Sequence, residues 1–261
     1  MIVAVIPVKG RLPLIPHTIK QALKVVDKVV CVCDHAWEKP FCVGAETTVI
    51  RRVPLGKKWN AGFNFARQFD PDFILYIGSS DWVSENWMEV MLPYAENCEL
   101  VGVPIFHLLH LYYDVEEKDP YILKKLRGKG GIHEMLVSFR DWAAGEWGGY
   151  WDERKHEPIG IGRVLNRDYL KRVDYKPFDD AQSKSMDCQQ FTKAKNYMLI
   201  ERDDIRCLSI STNLWNNYHE FTRDADVLIE PGAFIDEWFP MARELTKWRK
   251  VKLINIENGM R

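Results

Sequence analysis

The chain has 261 residues, 46% of them hydrophobic and 28% charged, and a formal net charge of −1. This is ordinary globular composition with length for a sizeable core, and the near-zero charge excludes a global basic field for nucleic acid while leaving local patches open. No apolar run approaches the ~20 residues of a membrane span and no signal-peptide pattern opens the chain, so a cytoplasmic protein without a membrane partner is expected.

The first apolar run, Ile2 to Ile6, predicts a buried strand, broken by Pro7, Gly10 and Pro13. Leu14, Ile15, Ile19, Leu23 and Val26 follow at near-helical spacing. Val29 to Cys33 predicts a second strand ending at Asp34, and Thr47 to Val53 a third. Residues 56–69 read as a helix, 73–77 as a fourth strand, 86–96 as a helix and 100–106 as a fifth strand. Later come a Gly160–Arg163 turn leading into a helix that ends near Val173, a helix opened by Asp187, a strand over Ile205–Ile210, and an amphipathic helix over 234–249. The six cysteines, at 31, 33, 42, 98, 188 and 207, lack paired metal-ligand spacing and read as buried reduced thiols.

This alternation predicts an α/β protein with a mainly parallel sheet flanked by helices and an irregular second half. The chain reads as one domain of two halves, residues 1–106 and the less regular 107–261 with its C-terminal helix. Polar residues gather at the strand ends: Pro7 to Arg11, Asp34-His35, Arg51-Arg52 and Ser79-Ser80-Asp81. Ligands of such sheets bind at the carboxyl ends of the strands. A lone carboxylate delivered there, Asp81, suits a divalent cation beside a phosphate.

Four segments resemble the family 2 glycosyltransferases of GT-A (Rossmann-like) fold. They are Ile6-Pro7-Val8-Lys9-Gly10-Arg11, Val30-Cys31-Val32-Cys33-Asp34, the helix from Asn60-Ala61-Gly62 to Ala66-Arg67, and Tyr76-Ile77-Gly78-Ser79-Ser80-Asp81-Trp82-Val83. The resemblance implies an enzyme that moves a sugar from a nucleotide-sugar donor, most simply a UDP-sugar, with inversion and with a divalent metal, Mn²⁺ or Mg²⁺. It makes residues 1–106 the nucleotide-sugar-binding half, with the donor around Pro7, Lys9, Arg11, Asp34, Lys57, Asn60 and Ser80, and 107–261 the acceptor side. Lys57, Lys58 and Arg67 are available to neutralise phosphate, while an exposed Lys57–Lys58 pair on a helix equally suits solvent. The resemblance makes Asp81 a metal ligand, with His219 as a second, and Asp187 the general base. The family usually supplies more than one carboxylate where this chain has Gly78, Ser79, Ser80 and Asp81.

The acceptor is open. The basic stretch Lys124-Lys125-Leu126-Arg127-Gly128-Lys129 suits phosphates, which admits a hydroxylated DNA base as acceptor. Trp142, Trp147 and Trp151 suit stacking on a sugar or base, and equally suit packing. His107 and His110 read as acceptor-pocket or core residues. Two other classes stay in view: a sugar-phosphate nucleotidyltransferase, and an inactive nucleotide-sugar-binding module.

Overall fold

The computed structural model describes residues 1–8, 10–51, 53–111, 121–124, 137–138, 158, 160–183, 190, 192–212 and 231–246. The first half contributes β1 (Ile2–Pro7), α1 (Ile15–Ala22), β2 (Lys28–Cys33), β3 (Glu46–Val49), α2 (Leu55–Ala66), β4 (Phe73–Tyr76), β5 (Asp81–Val83), α3 (Trp87–Ala95) and β6 (Leu100–Gly102). The second contributes β7 (Ile105–Leu111), β8 (Tyr121–Lys124), β9 (Val137–Ser138), β10 (Arg163–Asn166), α4 (Arg167–Arg172), β11 (Tyr197–Leu199), β12 (Cys207–Thr212), α5 (Pro231–Trp238) and α6 (Ala242–Thr246).

The main sheet has seven strands in the order β11-β6-β10-β4-β1-β2-β3. Only β10 runs against the others, pairing antiparallel with both β4 and β6. The apolar runs are continuous because both faces are covered. Ala4, Ile6, Cys31 and Cys33 pack with residues of α1 and α3, whereas Val3, Val5, Val30 and Val32 pack with Trp59, Phe63 and Ala66 of α2. Gly62 permits that close approach: a Cβ there would lie 2.5 Å from Val5 Cγ1 and 2.6 Å from Val32 Cγ2. A second sheet, β5-β12-β7-β8 with β9 beside β7, packs Trp82, Leu109, Leu208 and Ile210 against α5 and α6. The two halves interleave, since β10 and β11 complete the main sheet and β5 joins the second.

Several predicted boundaries move. The expected fifth strand, 100–106, divides at Val103-Pro104: β6 stays in the main sheet and β7 enters the second. Proline lacks the N–H a ladder requires there. The predicted turn-to-helix at Gly160–Arg163 contains β10 before α4 begins. Asn166 then caps α4, its Oδ1 accepting from Tyr169 N at 2.9 Å. The predicted helix over 234–249 is two helices, α5 and α6, interrupted around Pro240. The helix opened by Asp187 lies largely outside the described residues.

Candidate functional site

Strand order locates the candidate edge. The chain steps from β1 to β2 to β3 on one side, then α2 carries it back to β4 on the other side of β1. The strand order therefore reverses between β1 and β4, a switch point at whose carboxyl edge ligands of such sheets bind, and both following loops lead to helices on one face, α1 and α3. Arg11 and Ser80 sit on those two loops. The half-buried Arg11 donates from Nη1 to Ser80 Oγ at 2.6 Å, across 69 residues of chain. Gly10 and Arg11 both have left-handed backbones, at φ +59° and +51°. For arginine that conformation costs about 1–2 kcal/mol, so the loop is held against its own preference.

The β2 end of the edge is an ion-pair socket. Asp34 leaves β2, and its Oδ1 accepts from Lys58 Nζ at 2.6 Å. Lys58 is only 2% exposed and also donates to the Val8 carbonyl. Buried Glu38 fixes the turn from behind: its Oε2 accepts from Asp34 N at 2.6 Å and His35 N at 3.1 Å. Burial pulls the Lys58 ammonium below the ordinary lysine value, and the hydrogen bond and charge of Asp34 partly oppose that shift. Trp37, 41% exposed, stacks on His35 with ring centroids 5.9 Å apart, giving the socket an aromatic rim.

The β4 end is built on hydroxyls and one carboxylate. Half-buried Asp81 accepts from Gly78 N at 3.0 Å through Oδ2 and from Ser209 Oγ at 3.0 Å through Oδ1. Gly78 is required by that fold-back, because a Cβ there would lie 2.5 Å from Asp81 Oδ2. The buried face of α1 secures this segment. Thr18 Oγ1 donates to Ser79 O at 3.0 Å and accepts from Trp82 Nε1 at 3.1 Å, while Gln21 Nε2 donates to Val83 O at 2.8 Å.

The other predicted residues fall as follows. Pro7 is the buried last residue of β1, and Lys57 is exposed. Asn60 is buried and spans to another segment: Nδ2 donates to Phe178 O at 2.9 Å and Asp180 Oδ1 at 2.8 Å, and Oδ1 accepts from Phe178 N at 3.1 Å. It therefore positions residues 178–180. Gly56 N donating to Gln182 O at 2.8 Å extends this docking onto the start of α2. The chain that leads to Asp187 is thus tied to the carboxyl edge. Beyond Asp187, buried Gln190 accepts from the fully buried Arg163 at 3.1 Å. Arg67 closes α2 about 14 Å along the axis from Lys58, at the opposite edge, and pairs with Asp174 at 3.0 Å. Lys9, Asp187, His219, Lys125, Arg127, Lys129, Trp142, Trp147 and Trp151 lie outside the described residues, as does the side chain of Lys124. His107 is buried against Phe234, ring centroids 4.3 Å apart.

Glu38, Thr18 and Ser209 carry no signal in the sequence, and Lys58, a phosphate candidate there, is buried against Asp34. Lys58 had a signal: it shares the i, i+4, i+8 stripe of Gly62 and Ala66, the face α2 turns to the sheet. Cys31, Cys33 and Cys42 are buried free thiols. Cys33 and Cys42 Sγ lie 3.8 Å apart, and hydrogen bonding to Cys31 with burial pushes Cys42 up to about 12.

A hard divalent cation takes about six oxygen ligands, mostly carboxylates, carbonyls and water. Among the described residues no group of three His, Cys, Asp or Glu is placed to hold one. At this edge Asp81 stands as one carboxylate that already accepts two hydrogen bonds, and the neighbouring Ser80 hydroxyl meets a guanidinium. The described donors do not fit a cation site. A cleft of about 410 Å³ lies elsewhere, at the carboxyl ends of β6 and β11, lined by residues including Trp87, His107, Arg206, Phe234 and Trp238. Its lining shares no residue with the Arg11–Ser80 bridge or the Lys58 socket. Among the described residues no helix is long and apolar enough to cross a membrane.

No protein-family model matches the chain, and no curated protein matches it. Solved structures of similar shape include S. aureus TarS residues 1–349, at 13% identity and TM-score 0.46, over 97% of this chain and 75% of that one. A Pyrobaculum calidifontis mannosyltransferase in complex with GDP-Man and Mn²⁺ gives 11% and 0.46, over 84% and 59%. The bifunctional IspDF of Campylobacter jejuni gives 10% and 0.43, over 78% and 50%. The chain thus spans between half and three quarters of the length of these proteins. With TM-scores below 0.5, the fold description rests on this chain's own strand order.

Proposed function

We propose that the protein is a nucleotide-sugar-dependent glycosyltransferase whose donor binds across the carboxyl edge between β2 and β4. The observation that carries this reading is the Arg11–Ser80 bridge over the switch-point crevice, with the Asp34–Lys58 socket one strand away. A nucleoside fits the socket end, where Asp34 offers a carboxylate acceptor and Trp37 a stacking face. The diphosphate then lies toward Arg11 and Ser80, and the sugar toward Asp81. Transfer forms a bond between an acceptor hydroxyl oxygen and the sugar's anomeric carbon and breaks the bond from that carbon to the diphosphate. The acceptor's proton passes to a carboxylate base, for which Asp187 is the candidate: Gln182, five residues before it, is docked on α2 at this edge. Departure of the nucleoside diphosphate inverts the anomeric centre.

A thermal-shift panel of UDP- and GDP-sugars, with and without Mn²⁺, tests the reading, since a ligand that binds only the folded state raises Tm. A shift for one donor that Asp34→Asn abolishes supports it; no shift with any donor, in either condition, overturns it. The acceptor has its own test. Salt-sensitive retention on DNA, abolished by replacing Lys124, Lys125 and Arg127, supports a DNA base, and indifference to salt removes it.

A further inference from the structure

We infer that Arg11, in place of a bound divalent cation, meets the negative charge of the donor's diphosphate; this rests on the donor reading above and assigns the charge partner within that site. Three observations carry it. The described donors around Asp81 do not compose a cation site, because its single carboxylate is already hydrogen-bonded by Gly78 and Ser209. One residue away, at Ser80, a guanidinium supplies positive charge. That guanidinium also differs in its partner from most of the described arginines, although buried Arg163 likewise meets neutral groups, Gln190 and the Pro158 carbonyl. Arg67, Arg167, Arg172, Arg202, Arg206 and Arg243 each pair with a carboxylate. Arg11 instead donates to a neutral hydroxyl, and among the described residues no carboxylate pairs with it.

A half-buried guanidinium set on a hydroxyl keeps its charge unpaired by any described carboxylate and is aimed by the bond it makes. Its planar fork can offer two parallel N–H donors to phosphate oxygens, a geometry neither lysine nor a hydroxyl supplies. The left-handed backbone at Gly10 and Arg11 turns the loop so that this side chain reaches across the crevice to β4's loop. As the bond to the anomeric carbon breaks, negative charge grows on the diphosphate, and a fixed cation stabilises it without reorganising. Ser80 acts as the positioning residue: it holds the fork in place and contributes no charge.

Isothermal titration with UDP, GDP and uridine, in EDTA and in Mn²⁺, decides the matter on the wild type, Arg11→Ala and Arg11→Lys. The expected result is nucleoside diphosphate binding of similar affinity in EDTA and Mn²⁺. Arg11→Ala weakens it about 100-fold, and Arg11→Lys recovers part of the loss. Uridine affinity changes by about threefold or less, because the nucleoside end is untouched. Unchanged melting temperatures in both variants separate charge from folding. Binding that EDTA abolishes and Mn²⁺ restores overturns the inference while leaving the donor reading intact. Equal loss of uridine and UDP affinity in Arg11→Ala also overturns it, by making Arg11 a structural prop. Failure of every nucleotide to bind in either condition overturns the donor reading itself, and this inference with it.

Discussion

The two ends of the carboxyl edge are built on opposite principles. At β2, buried Lys58 and Glu38 and half-buried Asp34 form one network of charges and backbone groups. At β4, Arg11 and Asp81 are each hydrogen-bonded to neutral groups, serine hydroxyls and a glycine amide. The first is a rigid socket whose electrostatics are settled within the protein. The second leaves Arg11 bonded to a neutral hydroxyl, with no described carboxylate paired to it. A nucleoside needs shape and a few fixed acceptors; a diphosphate needs charge that is still to be neutralised.

Breaking the socket has the largest expected effect. Lys58→Met leaves the Asp34 carboxylate buried without its ammonium, at a cost of about 3–5 kcal/mol by urea denaturation. The same pair has a pH signature. Burial sets the folded-state Lys58 value below the ordinary 10.5. Below that folded value both states hold the proton, and the desolvation cost is fully present. Between it and 10.5 only the unfolded chain keeps the proton, so stability rises with pH. The stability gap between wild type and Lys58→Met should therefore widen as pH climbs toward 10.5.

Variants at the β4 end should cost less in stability. Gly78→Ala forces the Asp81 carboxylate off the Gly78 amide, for about 1–3 kcal/mol. Thr18→Val strips partners from Ser79 O and Trp82 Nε1 and should cost about 1–2 kcal/mol. Both shift the Ser80–Asp81 segment, so calorimetric affinity for UDP should fall while that for uridine holds. Ser209→Ala removes one bond to Asp81, and a loss of about 1 kcal/mol is expected. If Ser209→Ala destabilises more than Lys58→Met, the contrast between the two ends is wrong.

The sheet was legible where local pattern sufficed. β1, β2 and β4 announce themselves as apolar runs because both their faces are covered. β10 did not, since four residues after a glycine-rich turn carry little periodicity and the pairing with β4 and β6 is set by distant chain. Arg11, Asp34 and Ser80 were picked out as strand-end polar residues, and the structure brings them to one edge. Lys57 and Lys58 read alike in sequence, but neighbouring helical positions point about 100° apart, and only Lys58 faces the sheet. Asn60 reads as a ligand residue by resemblance, yet its amide is committed to Phe178 and Asp180, a contact across 118 residues that no local pattern encodes.

A crystal soaked with UDP-sugar tests the central claim most directly. Electron density for the nucleoside diphosphate is expected across the β1–β4 crevice, with its base by Asp34 and its phosphates on Arg11. Ligand confined to the cleft beside Trp87 and Trp238, with the Arg11–Ser80 bridge undisturbed and the crevice bare, would contradict it.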